Sequence, residues 1–103
     1  MAINISINEQ AGRLVVTVEG DLNNAATKQA VQSFAPIYEH TDCDVAIECS
    51  KLNYISSSGL RLMLDIYKHT RANAHNAILC HLPDDIKEVF DLSGFLQLFK
   101  VED

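Results

Sequence analysis

At 103 residues, 48% of them hydrophobic and 21% charged, the chain is long enough for one domain with a single core and no disulfide or metal staple. Its formal net charge of −6 and pI of about 5.0 exclude the basic footprint that nucleic acid or acidic lipid requires. The acidity aids solubility and suits docking on a basic partner surface.

The opening residues, Met1-Ala2-Ile3-Asn4-Ile5, carry neither a basic segment nor a long apolar one. With no apolar run long enough to span a bilayer, a cytoplasmic protein without membrane insertion is expected. Ile3, Ile5 and Ile7 alternate with Asn4, Ser6 and Asn8, the period of two of a half-buried strand. Ala11-Gly12 signals a turn, after which Leu14, Val16 and Val18 alternate with Val15, Thr17 and Glu19 to complete a hairpin. Gly20-Asp21-Leu22-Asn23-Asn24 ends that strand and offers helix N-cap candidates. Over residues 25–40, Ala30, Phe34 and Ile37 recur at helical spacing, and Pro36 should kink the helix or split off its last turn.

Residues 45–49 read as the next strand, and a short loop then leads to Ser56-Ser57-Ser58. Leu60, Met63, Leu64 and Tyr67 mark one face of a second helix, with Arg61 and Asp65 spaced to pair on its exposed side. Residues 77–82 form another strand, and Pro83-Asp84-Asp85 suits a helix start, since carboxylates favour the positive end of the helix dipole. Ile86, Val89 and Phe90 give that helix its buried stripe, Gly94 caps it, and residues 95–101 read as the last strand. The expected fold is α/β: one domain, 1–103, with a mixed sheet of an antiparallel hairpin followed by βαβαβαβ, and helices mainly on one face.

The chemistry concentrates in Tyr54-Ile55-Ser56-Ser57-Ser58-Gly59-Leu60-Arg61, three hydroxyls between a strand-like and a helix-like segment. A helix start holds unpaired N–H groups and favours negative charge, so a phosphate fits there, bound or covalent. On residue type alone, helix capping is the simpler role for these serines. Gly59 costs helix stability and leaves the neighbouring hydroxyl accessible. The cluster is not G-x-S-x-G, and His40, His69, His75 and His81 have no spacing that assigns a base to Ser57. The chain lacks P-loop and G-x-G-x-x-G patterns, and its histidines and its cysteines (Cys43, Cys49, Cys80) lack zinc-ligand spacing. No catalytic residue, metal or cofactor is implied. The cysteines, odd in number and without a CxxC pair, read as reduced core thiols.

Ile55-Ser56-Ser57-Ser58-Gly59-Leu60 between a strand and an amphipathic helix resembles the signature of the STAS domain, and in particular the bacterial anti-sigma-factor antagonists. Val18-Glu19-Gly20-Asp21-Leu22-Asn23 is similar to the family's turn after its second strand, residues 45–49 with 52–55 to its central strand and approach loop, and residues 89–95 to its closing helix and turn. The resemblance implies a non-enzymatic module whose unphosphorylated form binds an anti-sigma factor serine kinase of the GHKL ATPase type, freeing a sigma factor for transcription. The kinase would end binding by phosphorylating a serine at the helix start, and a metal-dependent serine phosphatase would restore it. In the family pattern the acceptor falls on Ser57. The family often has aspartate where this chain has Ser56 and Asn23, which makes Ser56 the second candidate acceptor. The implied partner surface is Asp21, Asn23, Asn24, Ser56, Ser57, Ser58, Gly59 and Arg61. A STAS accessory subunit regulating a membrane transporter ATPase is the alternative.

Overall fold

A computed structural model describes residues 2–103. β1 (Asn4–Gln10) and β2 (Arg13–Leu22) pair antiparallel from Asn4↔Glu19 to Gln10↔Arg13. Ala11 and Gly12 join them with φ of 53° and 78°. Two left-handed residues are what a two-residue hairpin needs to match the twist of its strands. β2 is the axis of the sheet. β3 (Val45–Glu48) lies parallel to its first half, β5 (Ala77–Cys80) parallel to β3, and β6 (Lys100–Glu102) parallel to β5. Among the described residues the sheet has six strands, in the order β1-β2-β3-β5-β6, with β4 (Leu52–Ile55) joined to β2 alone.

β4 occupies a stretch that the sequence pattern assigns to a loop. β2 has 10 residues and β3 only 4, so the far half of β2 outlives its neighbour. The chain turns after Glu48 and returns to pair Leu52 with Gly20, Tyr54 with Asp21 and Ile55 with Leu22. Four residues with burial at the two ends only, Leu52 and Ile55, do not show a period of two, which is why the strand is hidden in the sequence. The end of the chain differs too. The sequence pattern reads residues 95–101 as one strand, yet Phe95–Gln97 is a 3₁₀ turn and only Lys100–Glu102 pairs. The inward apolar residues there are Phe95, Leu96 and Phe99, a helical spacing that packs a turn onto the core and leaves too little chain for a long strand.

The helices are α1 (Thr27–Phe34), α2 (Ser57–Ala72) and α3 (Asp84–Leu92). A 3₁₀ turn, Ala35–Glu39, continues α1 with Pro36 near its start, as the sequence predicts. Leu14, Val16, Val18, Val45, Ile47, Ala77 and Leu79 of the sheet share one core with Ala30, Phe34, Met63, Ile66, Ile86 and Phe90 of the helices. All three helices therefore cover the same face. On the other face Ala46, Ile78 and Cys80 pack with Val15, and Arg13 reaches Glu102 through two hydrogen bonds of 3.0 and 3.2 Å.

The three cysteines are free, and burial pushes the Cys49 thiol up to about 12. Within the described residues no helix is long and apolar enough to cross a membrane.

Candidate functional site

β2, β4 and α2 meet at one end of the sheet. The Ser56 N–H donates to the Leu22 carbonyl at 2.9 Å, tying the start of α2 to the end of β2. Ser56 is the N-cap of α2, with extended backbone (φ −85°, ψ 172°) and a buried side chain. Its Oγ accepts from the Gly59 N–H at 3.1 Å and lies 3.0 Å from Ser58 Oγ. The Ser58 hydroxyl donates to Asn24 Oδ1. Because each hydroxyl has one proton, the order is fixed: Gly59 N–H to Ser56, Ser56 O–H to Ser58, Ser58 O–H to Asn24. This relay fastens the β2–α1 loop to the first turn of α2.

Ser57 stands outside the relay. It is the first residue of α2 and exposed, and no hydrogen bond of its hydroxyl to another described residue is formed. The first turn of α2 holds no acidic residue, so the positive end of its dipole faces outward unneutralised at this hydroxyl. Of the two candidate acceptors, Ser56 is thus buried with its oxygen engaged twice, whereas Ser57 is accessible.

Gly59 has a different local reason from the one the sequence suggests. It is buried, and a Cβ there would stand 2.9 Å from the Leu22 carbonyl oxygen, 2.9 Å from Leu22 Cγ and 3.0 Å from Ile55 Cγ1. Glycine lets the α2 backbone sit directly on the ends of β2 and β4, and that contact, more than hydroxyl access, sets the residue type.

The remaining predicted residues gather around the relay. Asn23 Oδ1 accepts from the Ala26 N–H at 2.9 Å, an Asx turn ahead of α1, whose N-cap is Ala26 and not an asparagine. Asn24 is exposed and receives Ser58 while its carbonyl accepts from the Thr27 hydroxyl at 2.7 Å. Asp21 is half-buried on β2 opposite Tyr54. Arg61 is exposed one turn beyond Ser57, and the anticipated ion pair with Asp65 is not among those of the described residues.

Ser57, Leu60, Arg61 and Leu64 of α2 line a groove of about 330 Å³ whose other wall is Ser93 and Phe95. Sequence spacing alone does not place Ser93 and Phe95 here. Their signal is Gly94, whose left-handed φ of 82° turns the chain back after α3. Tyr54, half-exposed beside Asp21, flanks the same end of the sheet.

A larger cavity, about 420 Å³, lies away from these serines, at the β1–β2 hairpin tip with His40, Asp42 and Cys43. There the Cys43 thiol is pushed up by burial and the His40 ring faces the Pro36 carbonyl at 2.9 Å and Glu9 at 3.3 Å, so no activated nucleophile results. Nor does any imidazole reach Ser57. His69 faces the His40 carbonyl at 2.7 Å, His75 faces Asp44 at 3.3 Å, and His81 faces Glu48 at 2.8 Å. Among the described residues no cluster of three or more histidine, cysteine or carboxylate groups is arranged to hold a metal.

The family model for the STAS domain matches residues 3–103. The chain belongs to the STAS-domain family. BtrV of Bordetella bronchiseptica, named as a candidate anti-sigma factor antagonist, is 31% identical to this STAS domain over 99 residues, covering 96% of this chain and 85% of BtrV. A solved structure of a candidate anti-sigma factor antagonist from Thermotoga maritima superposes with a TM-score of 0.84 at 13% identity, over 96% of this chain and 86% of that one. The anti-sigma factor antagonist SpoIIAA matches in its unphosphorylated form, with a TM-score of 0.77 at 20% identity over 95% of this chain and 87% of its own. The phosphorylated form of Bacillus SpoIIAA gives 0.71 at 19% identity, over 95% and 90%. At these identities the structural matches establish the shared α/β fold, while the family model establishes the family that the serine motif predicts.

Proposed function

We propose that this STAS domain is an anti-sigma factor antagonist switched by phosphorylation of Ser57. With Ser57 unmodified it binds an anti-sigma factor, a serine kinase of the GHKL ATPase type, and frees the sigma factor that the kinase holds. Transfer of phosphate to Ser57 ends the complex, and a metal-dependent serine phosphatase resets it. The names of the relatives support the antagonist class. The observation that carries the choice of residue is the contrast within the cluster: Ser56 and Ser58 are bound into the relay, and Ser57 alone is exposed and unengaged.

The physics of the switch follows from that placement. A phosphoryl group adds roughly −1.5 to −2 charges at neutral pH. At an exposed helix N-terminus this charge is tolerated, so the fold survives. A partner closed over the same surface, with no cation of its own to meet the phosphoryl group, would have to desolvate that added charge, and binding fails.

The test is incubation with candidate GHKL kinases and ATP, followed by mapping of the phosphosite by mass spectrometry. The mark is expected on Ser57 and absent from Ser57→Ala, which still binds the kinase, while Ser57→Asp binds it less tightly. A mark on Ser56 would overturn the residue assignment. Absence of both binding and phosphorylation across the candidate kinases would overturn the function.

A further inference from the structure

Among the described residues Arg61 is the only ionisable one lining the groove beside Ser57, and the two are four residues apart on α2. That spacing puts them on one helix face with their Cβ atoms about 5–6 Å apart. Both are exposed, and Arg61 has no carboxylate partner in any ion pair of the described residues. A chain of net charge −6 thus keeps an unpaired guanidinium one turn from an unengaged hydroxyl. The rest of the groove supplies no competing cation. Leu60, Leu64 and Phe95 are apolar, and the Ser93 hydroxyl donates to the Phe90 carbonyl at 2.9 Å.

From this we propose that Arg61 is the intramolecular partner of a phosphoryl group on Ser57, folding it along the α2 face and over the groove. The inference rests on the reading of Ser57 as the modified residue, and adds what becomes of the mark once made. The guanidinium presents a planar fork of donors that matches phosphate oxygens, so the phosphoryl group takes one orientation and does not sweep freely through solvent. Arg61 is then a positioning residue. In the unmodified protein it offers a free cation beside the serine; in the modified one that cation is consumed and the groove is covered.

The test does not depend on any kinase. Phosphoserine is installed at position 57 during translation, and the phosphate is titrated by ³¹P NMR. The pairing favours the dianion, so its second ionisation should lie below the ordinary value of about 6. Arg61→Gln should raise it by about half a pH unit, with Arg61→Lys between the two. Lys68→Gln removes the same charge seven residues farther along α2 and should leave the titration unmoved.

Equal titration curves for the wild-type protein and Arg61→Gln would overturn the proposal. So would an equal shift in Lys68→Gln, which would mean a general field and no direct pair. If the Arg61 dependence is found but no kinase marks Ser57, the pairing stands and the proposed function fails. If kinases mark Ser57 but Arg61 leaves no trace in the titration, the reverse holds.

Discussion

Gly59→Ala sets two well-defined effects against each other at the centre of the site. Replacing glycine by alanine inside a helix gains about 1 kcal/mol from backbone and propensity terms. Here the added methyl group would meet the Leu22 carbonyl oxygen and Leu22 Cγ at 2.9 Å and Ile55 Cγ1 at 3.0 Å. Leu22 is fully buried, and its carbonyl is held by the Ser56 N–H at 2.9 Å, so neither atom can retreat without breaking the junction of β2 with α2. Overpacking of this kind costs about 3 kcal/mol at the upper end of its usual range. The clash wins, leaving a net loss of about 2 kcal/mol. For a domain of this size that lowers Tm by about 10 °C. Urea and thermal denaturation followed by far-UV circular dichroism measure it. A variant as stable as the parent, or more stable as helix propensity alone demands, would refute the close-packing account of Gly59.

Two serine substitutions should separate the roles that the cluster divides. Ser56→Ala removes the α2 cap and the middle of the relay, and should cost about 1–2 kcal/mol in chemical denaturation. Ser57→Ala should change stability by less than about 0.5 kcal/mol, because the Ser57 side chain is exposed and forms no hydrogen bond to another described residue. Comparable losses in the two variants would contradict the assignment of structural and modifiable hydroxyls. A pH effect is expected at the other cavity. The Pro36 carbonyl foremost, with help from Glu9, holds the His40 imidazolium above its ordinary pKa, against the opposing effect of burial. A group raised on folding adds stability that is fully present below its unfolded pKa of about 6.5 and is lost as pH rises through the folded value. Tm should therefore fall more between pH 6 and 8 in the wild-type protein than in His40→Gln; equal slopes would rule this out.

Local patterns carried most of the fold. The strict alternation in residues 3–19 announces the hairpin because β1 and β2 each have one covered face. Pro36 ends α1 for a reason internal to proline, so it too is readable in advance. What escaped were elements decided by distant partners. β4 exists because β2 is longer than β3, and Phe95–Gln97 is a turn because the core accepts Phe95 and Leu96 together. The site divides in the same way. A serine cap at the head of α2 follows from residue type. Which serine serves as the cap depends on Leu22 holding the Ser56 N–H and on Asn24 receiving Ser58, contacts made across the sheet end. Likewise the groove wall at Ser93 and Phe95 comes from a segment far beyond the serines in the chain. No local period encodes it.

The proposed switch is tested most directly by calorimetric titration of a GHKL anti-sigma kinase that binds the unmodified protein with two forms of this protein, unmodified and phosphorylated at Ser57, with circular dichroism run on both. The two spectra should superpose while affinity falls by at least about tenfold, or 1.4 kcal/mol. Equal affinities would contradict the account, as would a weakened complex accompanied by loss of the folded spectrum.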